Sequence, residues 1–534
     1  MQRVPLVVLL LLLLTTSVHG AAPGVYAITG GTVHPVSGPP IPNGIVLIRD
    51  GLIEAVGANI AVPPDATVID AKGAHVYPGL IDAMTSMGFP APRRPRRGPG
   101  QPQPPDAQRE EPVPEPTPAT VAARSVRISN DDAAARRATG VTTILTVPAA
   151  GIFNGQSVIL NLGGAPVETS VIRSPAAMHV AFAPRPTWTY PDSLMGVVAH
   201  IRQMLLDAQQ HASARAIYER NPAGTKRPEA NASLEALAPV LSRELPVVFA
   251  ADTDLAMRRA LALAREFNLR PVLAGGRQAY KIAAELKAAN VPLLVSVRWP
   301  VPPSSREDRA EQPLRVIRDR MLAPTSPAEL AKAGVAFALV SGAARSSEFL
   351  PGIRKAIENG LSADDALRAV TISPARIFGV DRQLGSLERG KIANVVVSDK
   401  PIFEKQAKIT RVFVDGRELR IEPDERAERA EAASPVEGTW NLTVRTPQGD
   451  VAIRVTLQLE DGKLTGTYSG DRGSGEIRSG RLDNGSIEFT ITVSGSQTQE
   501  TSDWVFSGTV RESSMEGTVS TNLGTFQFTG SKSR

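Results

Sequence analysis

Short runs in which apolar and polar residues alternate, broken by glycine turns, fill residues 26–77. Ile28-Thr29-Gly30-Gly31-Thr32-Val33 is followed by Gly44-Ile45-Val46-Leu47-Ile48, then Leu52-Ile53-Glu54-Ala55-Val56, and Val68-Ile69-Asp70-Ala71 closes the series. A period of two predicts half-buried strands. Asp50-Gly51 between two of them predicts a type I′ hairpin, which needs positive φ at both central residues. From residue 141 onward the pattern changes. Fully apolar runs such as 141–147, 246–251, 271–274, 291–297 and 335–340 alternate with helical stretches at 254–267 and 278–289. Strands buried on both faces and separated by helices are the habit of parallel α/β folds. Ser362-Ala363-Asp364-Asp365 predicts a helix start, with Ser362 as cap and acids in the first turn. Two further strand-and-turn segments follow, at 384–397 and 412–417.

Two stretches do not fit this alternation. Residues 89–120 are dense in proline, carry Arg93, Arg94, Arg96 and Arg97, and turn acidic at Glu110, Glu111 and Glu115. Such a composition buries too little surface to offset chain entropy, and a disordered insertion or mobile flap is expected. Residues 421–433 are charged and alanine-rich, a linker. Beyond Ser434 the alternation of period two returns at 451–459, 464–468, 487–493, 504–510, 515–519 and 525–530, with hairpin signals at Asp461-Gly462 and Asn484-Gly485. This predicts a small antiparallel β-barrel or sandwich over residues 434–534. Its Gly438-Thr439-Trp440 opening is similar to that of calycin-type barrels, which leaves a ligand pocket and a docking module as alternatives.

The chain of 534 residues is long enough for two or three cores, and 42% of it is apolar. Its net charge of +5 is thinly spread. With no dense basic face and no nucleic-acid motif, no nucleic-acid partner is expected. Arg3 followed by the apolar run 4–14 and small residues up to Gly20 predicts a cleaved secretory signal over residues 1–20. The apolar run is shorter than the roughly 18 residues that span a bilayer, and no membrane span is expected. The chain contains no cysteine, hence neither a disulfide nor a thiol nucleophile. The mature protein is expected in the periplasm or secreted.

Pro78-Gly79-Leu80-Ile81-Asp82-Ala83-Met84-Thr85-Ser86 closely resembles the strand-one signature of the metal-dependent amidohydrolases, Pro-Gly-Leu-Ile-Asp-x-His-x-His. Residues 384–397 and 412–417 resemble the same superfamily's C-terminal signature, with Asn394 where the family usually has Asp. The likeness covers roughly residues 24 to 420 and is closest to the imidazolonepropionase-like branch. It implies a (β/α)₈ TIM barrel over residues 78–380, flanked by a composite β-sandwich from residues 21–77 and 381–420. Together with the C-terminal all-β domain, the expected class is α/β. The resemblance also implies hydrolysis of carbon–nitrogen, non-peptide bonds by water bound to zinc or another divalent metal.

Position by position, the ligands for such a metal are missing. Met84 and Ser86 stand where the two strand-one histidines belong, and thioether and hydroxyl are poor partners for a zinc-class ion. Ala250 follows the apolar run at 246–249, where the family has His. Gly275 takes the next His position, and Gly342 replaces the catalytic Asp. The six histidines are His19, His34, His75, His179, His200 and His211, so the second half of the barrel has none. No catalytic residue, metal ligand or cofactor is therefore expected. The five positions would line a degenerate pocket in a pseudoenzyme or binding protein. Two alternatives stay open. One is an active hydrolase with an acidic metal site built from Asp82, Asp252 and Asp254, or with His179 as a base. The ordinary reading of these residues is that Asp82 braces its strand, Asp252 and Asp254 cap a helix, and His179 is a hydrogen-bonded core residue. The other alternative is a scaffold partner of an active paralogue. The partners left open are a small molecule in the barrel pocket and a second barrel chain, identical or paralogous.

Overall fold

The computed structural model describes residues 24–90, 117–164, 166–185, 189–303, 312–342, 345–421, 436–446, 449–460, 463–470, 473–477, 479–483, 486–494, 501–511 and 514–533. The expected signal, nearly all of the 89–120 insertion and the 421–433 linker lie outside the described residues. The chain divides into two compact units, Met1–Ile421 and Glu422–Arg534.

The N-terminal strands are β1 (Tyr26–Val33), β2 (Ile41–Arg49), β3 (Leu52–Gly57), β4 (Thr67–Asp70) and β5 (His75–Pro78). Asp50 and Gly51 between β2 and β3 have φ of 50° and 81°, the type I′ geometry expected. The α/β strands follow: β6 (Leu80–Thr85), β7 (Val141–Thr146), β8 (Phe153–Gln156), β9 (Val158–Asn161), β10 (Val171–Arg173), β11 (Met178–Ala181), β12 (Val247–Ala251), β13 (Pro271–Gly275), β14 (Leu293–Ser296) and β15 (Phe337–Val340). The chain then returns to the first sheet through β16 (Val395–Ser398), β17 (Ile409–Val414) and β18 (Arg417–Leu419).

Hydrogen bonding joins both flanks in one sheet, ordered β18-β17-β16-β5-β1-β2-β3 with β4 on β1, rather than in two facing sheets. The sheet curls back at β3, where Ile53 N–H donates to Lys391 O (2.8 Å) and Gly390 N–H to Ile53 O (2.8 Å). Inside lies a core of Ile28, Val46, Ile48, Val76, Val395 and Phe413. Asn394, the departure from the family signature, fastens this sheet to the α/β part. Its Nδ2 donates to Thr143 Oγ1 (3.1 Å) and Asn161 Oδ1 (3.0 Å), and its Oδ1 accepts from Asp415 N–H (2.9 Å). Asn161 Nδ2 in turn donates to Asp415 Oδ1 (2.6 Å). Only a side chain with both a donor and an acceptor can serve this place.

The α/β strands form two arcs. One is β15-β14-β13-β12-β11-β8, parallel from β11 to β15; the other is β10-β9-β7-β6, with β6 parallel to β7. The expected eight parallel strands differ at the third place. There the nearly continuous stretch β8–β9 runs antiparallel to both β11 and β7 and links the arcs. The far ends meet where Gly342 N–H donates to Met84 O (3.1 Å). Both faces of the strands are buried. Leu273, Leu293, Val295 and Leu339 face the helices, while Ile81, Ala83, Leu145, Val248, Val272, Leu294 and Val340 share one interior cluster across the two arcs. Gly79 in the Pro-Gly-Leu-Ile-Asp frame has a packing reason, since a Cβ there would lie 2.1 Å from Thr142 Oγ1. Ser362 caps helix Ala363–Ala369 by accepting from Asp365 N–H (3.0 Å), as expected. The stretch expected as one helix at 278–289 is a 3₁₀ turn, Ala279–Lys281, and a separate helix, Ala283–Ala289.

The second unit is all β, with strands β19 (Gly438–Thr446), β20 (Gly449–Glu460), β21 (Lys463–Gly470), β22 (Gly473–Glu476), β23 (Ser479–Asp483), β24 (Ser486–Ser494), β25 (Thr501–Arg511), β26 (Ser514–Thr521) and β27 (Gly524–Lys532). They form an antiparallel sheet in the order β20-β19-β27-β26-β25-β24-β23-β21-β22, and β20 also pairs with β21. Both expected hairpin tips lie outside the described residues, but their flanks pair, Glu460 with Lys463 and Asp483 with Ser486. The inward face carries Trp440, Leu457, Phe489, Phe506 and Phe528. Between Tyr468 and Trp504 the free volume is about 10 Å³, room for no more than one water.

Candidate functional site

The C-terminal ends of β6, β12, β13 and β15 form the mouth of the α/β part, and all five candidate pocket residues lie there. Met84 and Ser86 are half-buried at the end of β6, and the Met84 side chain packs on the interior apolar cluster. Ala250 is exposed on β12. Gly275 ends β13, where Ala251 pairs with it, and Gly342 lies just beyond β15.

At two of these positions the backbone conformation disfavours any side chain. Gly275 has φ of +115°, which side-chain-bearing residues rarely adopt, and a Cβ there would lie 2.5 Å from Asp252 Oδ1. That carboxylate is held over Gly275 by Arg277, whose Nη2 donates to Asp252 Oδ2 (2.9 Å). Gly342 has φ of +61°, and a Cβ there would lie 2.9 Å from Ser296 Oγ. Asp252 and Ser296 thus occupy the space that side chains at 275 and 342 would need.

Asp82 is fully buried and clamped. It accepts from Arg136 Nη1 (3.0 Å), from Ser341 N–H (2.9 Å) and from the Ser341 hydroxyl. Burial pushes its carboxyl up, while Arg136 and Ser341 oppose that shift. The clamp ties β6 to the end of β15 and to helix Asn130–Arg137. Asp82 is therefore a brace.

The expected capping role of Asp252 and Asp254 is corrected. Thr253 caps helix Asp254–Glu266, its Oγ1 accepting from Ala256 N–H (3.2 Å). Asp254 sits in the first turn beside Arg258 (3.5 Å). Each of the three carboxylates of the proposed acidic site thus faces a guanidinium, and among the described residues no three His, Asp or Glu side chains converge. Thioether, hydroxyl, methyl and two glycines do not fit a zinc-class ion.

His179 also differs from expectation. Its position on β11 is buried, but neither ring nitrogen has a hydrogen-bond partner. It pairs across to Gly155 and Val248, on the face shared with the interior cluster. Burial pulls its pKa down to about 3, so the ring is neutral. His34 and His75 lie together in the N-terminal sheet, Nε2 to Nδ1 at 3.0 Å, away from the mouth. Sequence reasoning did not find Arg136, Ser341, Arg277 or Ser296. The one available signal was Asp82 itself, a carboxylate in an apolar strand that needs a cation within reach.

Residues 162–419 match the Amidohydrolase family. An adenine deaminase of Clostridium botulinum (strain Loch Maree / Type A3) is 41% identical over 64 residues, 12% of this chain and 10% of that protein. An adenine deaminase of Moorella thermoacetica is 26% identical over 167 residues, 25% of this chain and 27% of that protein. The chain thus spans between a tenth and about a quarter of the length of these curated relatives. An amidohydrolase of Thermotoga maritima MSB8 superposes with a TM-score of 0.62 at 26% identity, over 74% of this chain and 99% of that one. Such neighbours imply a TIM-barrel domain for the α/β part, which here hydrogen-bonds as two arcs. By its matched segment and its fold, this chain is similar to the amidohydrolases.

Proposed function

We propose that this is an exported amidohydrolase-family protein that has lost the family's metal centre and holds a small organic molecule at the mouth without hydrolysing it. The observation that carries this reading is the pair Gly275 and Gly342. At both, the backbone sits at positive φ and a neighbouring side chain fills the Cβ space. Met84 and Ala250 make the mouth less polar than a metal site. The leader-like residues 4–20 support export. The relatives named adenine deaminase make a purine-like heterocycle the first ligand to try.

The test is calorimetry of the purified full chain with Zn²⁺ and, separately, with adenine, alongside elemental analysis. No stoichiometric zinc uptake is expected, and adenine should bind without ammonia release. Near-stoichiometric metal that is lost in Asp82→Asn or Asp252→Asn would overturn the reading. Light scattering on the same sample reads whether the chain pairs with a second copy.

A further inference from the structure

A second cavity lies away from the mouth, at the N-terminal ends of the parallel strands. It measures about 1300 Å³ and opens to solvent. Pro271 and Val272 at the start of β13, Pro292 before β14 and Val335 and Phe337 at β15 form an apolar floor. Around it stand five exposed arginines, Arg243, Arg265, Arg270, Arg368 and Arg376. They arrive from separate places: the turn after helix Ala232–Leu241, helix Asp254–Glu266, the loop before β13, helix Ala363–Ala369 and helix Ile372–Ile377.

Among the described residues, none of the five is in a salt bridge. Arg243 Nη1 donates to Asn268 Oδ1 (2.6 Å) and Arg270 Nη2 to Ile377 O (3.4 Å). Both carboxylates that line the cavity have other partners, although Arg265 also acts on Glu285 and helps to lower its pKa. Glu285 is held by Arg258 (2.7 Å), and Asp365 accepts from the Ser362 hydroxyl (2.7 Å). Arginines in a last helical turn ordinarily complement the helix dipole, which accounts for Arg265, Arg368 and Arg376 taken singly. It does not account for Arg243 and Arg270, which are in no helix, nor for five guanidinium groups gathered around one apolar-floored cavity. Guanidinium forks pair bidentately with carboxylate, sulfonate and phosphate. We infer that this cavity binds a small organic anion, its apolar body on the floor and its charged group among the arginines. The site is separate from the mouth, so it stands or falls independently of the binding function proposed there.

The test is a fluorescence titration of the full chain with 8-anilinonaphthalene-1-sulfonate, in wild type and in Arg270→Gln/Arg376→Gln and Arg270→Lys/Arg376→Lys. Saturable binding is expected in wild type. The Gln pair should weaken it tenfold or more. The Lys pair keeps the charge that the helix ends require but not the fork, and should weaken it threefold or more at an unchanged melting temperature. Undiminished affinity in the Lys pair overturns the site, whether or not the Gln pair folds. Adenine, the probe for the mouth, should not compete. Competition would place the fluorophore there and overturn the inference.

Discussion

An Asp82→Ala substitution would leave the Arg136 guanidinium, 7% exposed, without its anion and two Ser341 donors without their acceptor. Opposite charges 3.0 Å apart attract by about 5.5 kcal/mol at an effective dielectric constant of about 20. Desolvation offsets part of that, and removing one partner of a buried pair costs about 3–5 kcal/mol. The lost hydrogen bonds to Ser341 fall within the same order, so about 4 kcal/mol of destabilisation is expected. The assay is urea unfolding followed by circular dichroism at about 222 nm, a helix signal. All helices of the described residues lie in the first unit, so its transition is read separately from that of the β unit. Asp82→Ala/Arg136→Met should recover part of the loss, because no charge is then stranded. A metal ligand behaves otherwise: its removal from the apo chain costs little, and zinc stabilises the wild type. A loss below about 1 kcal/mol, or a wild type that gains stability from zinc, would refute the brace.

Gly275→Ala should cost about 1–3 kcal/mol from backbone strain alone and should also displace Asp252 from Arg277, seen as a lowered urea midpoint. Met84→His/Ser86→His should gain neither zinc affinity nor amidase activity, since Gly275 and Gly342 still supply no ligand; turnover above background would contradict the site described. Asn394→Asp replaces two donated hydrogen bonds with a charge beside the half-buried Asp415, and should destabilise by about 2–4 kcal/mol at neutral pH, with partial recovery in acid, read from melting curves across pH. His179→Leu tests the buried ring. The folded form keeps it neutral down to about pH 3, whereas the unfolded chain takes up a proton below about pH 6.5. Wild-type stability therefore falls as pH drops through that window, by about 2 kcal/mol from this residue at about pH 5. The variant should lack that share, so equal pH dependence in both proteins would count against the assignment.

The strands of the α/β part were legible because both faces of each are buried, which leaves uninterrupted apolar runs such as Val247-Val248-Phe249. The hairpin at Asp50-Gly51 and the cap at Ser362 were legible because each needs one residue type at one backbone conformation. The antiparallel β8–β9 link was not, since Phe153–Gln156 and Val158–Asn161 carry the same buried pattern in either direction. At the site, the residue types at each position could be read one by one. The contacts around them could not, because Arg277 over Asp252 and Ser296 beside Gly342 are contacts between different strand ends. His179 shows a further limit: an apolar context predicts burial, but it does not say whether the ring nitrogens find partners.

Asn394 and the curled sheet also bear on the order in which the chain can fold. β5 finds its antiparallel partner in β16, more than three hundred residues later, and the β2–β3 hairpin tip is seated by residues near the end of the same unit. Ala393 N–H donates to Gly51 O (2.9 Å), and a Cβ on Gly416 would lie 2.5 Å from Gly51 Cα. Pairing across so long a loop forms slowly. The first sheet must therefore wait, with one edge open, until the whole α/β part has been made, so its closure is a late event in the folding of the first unit.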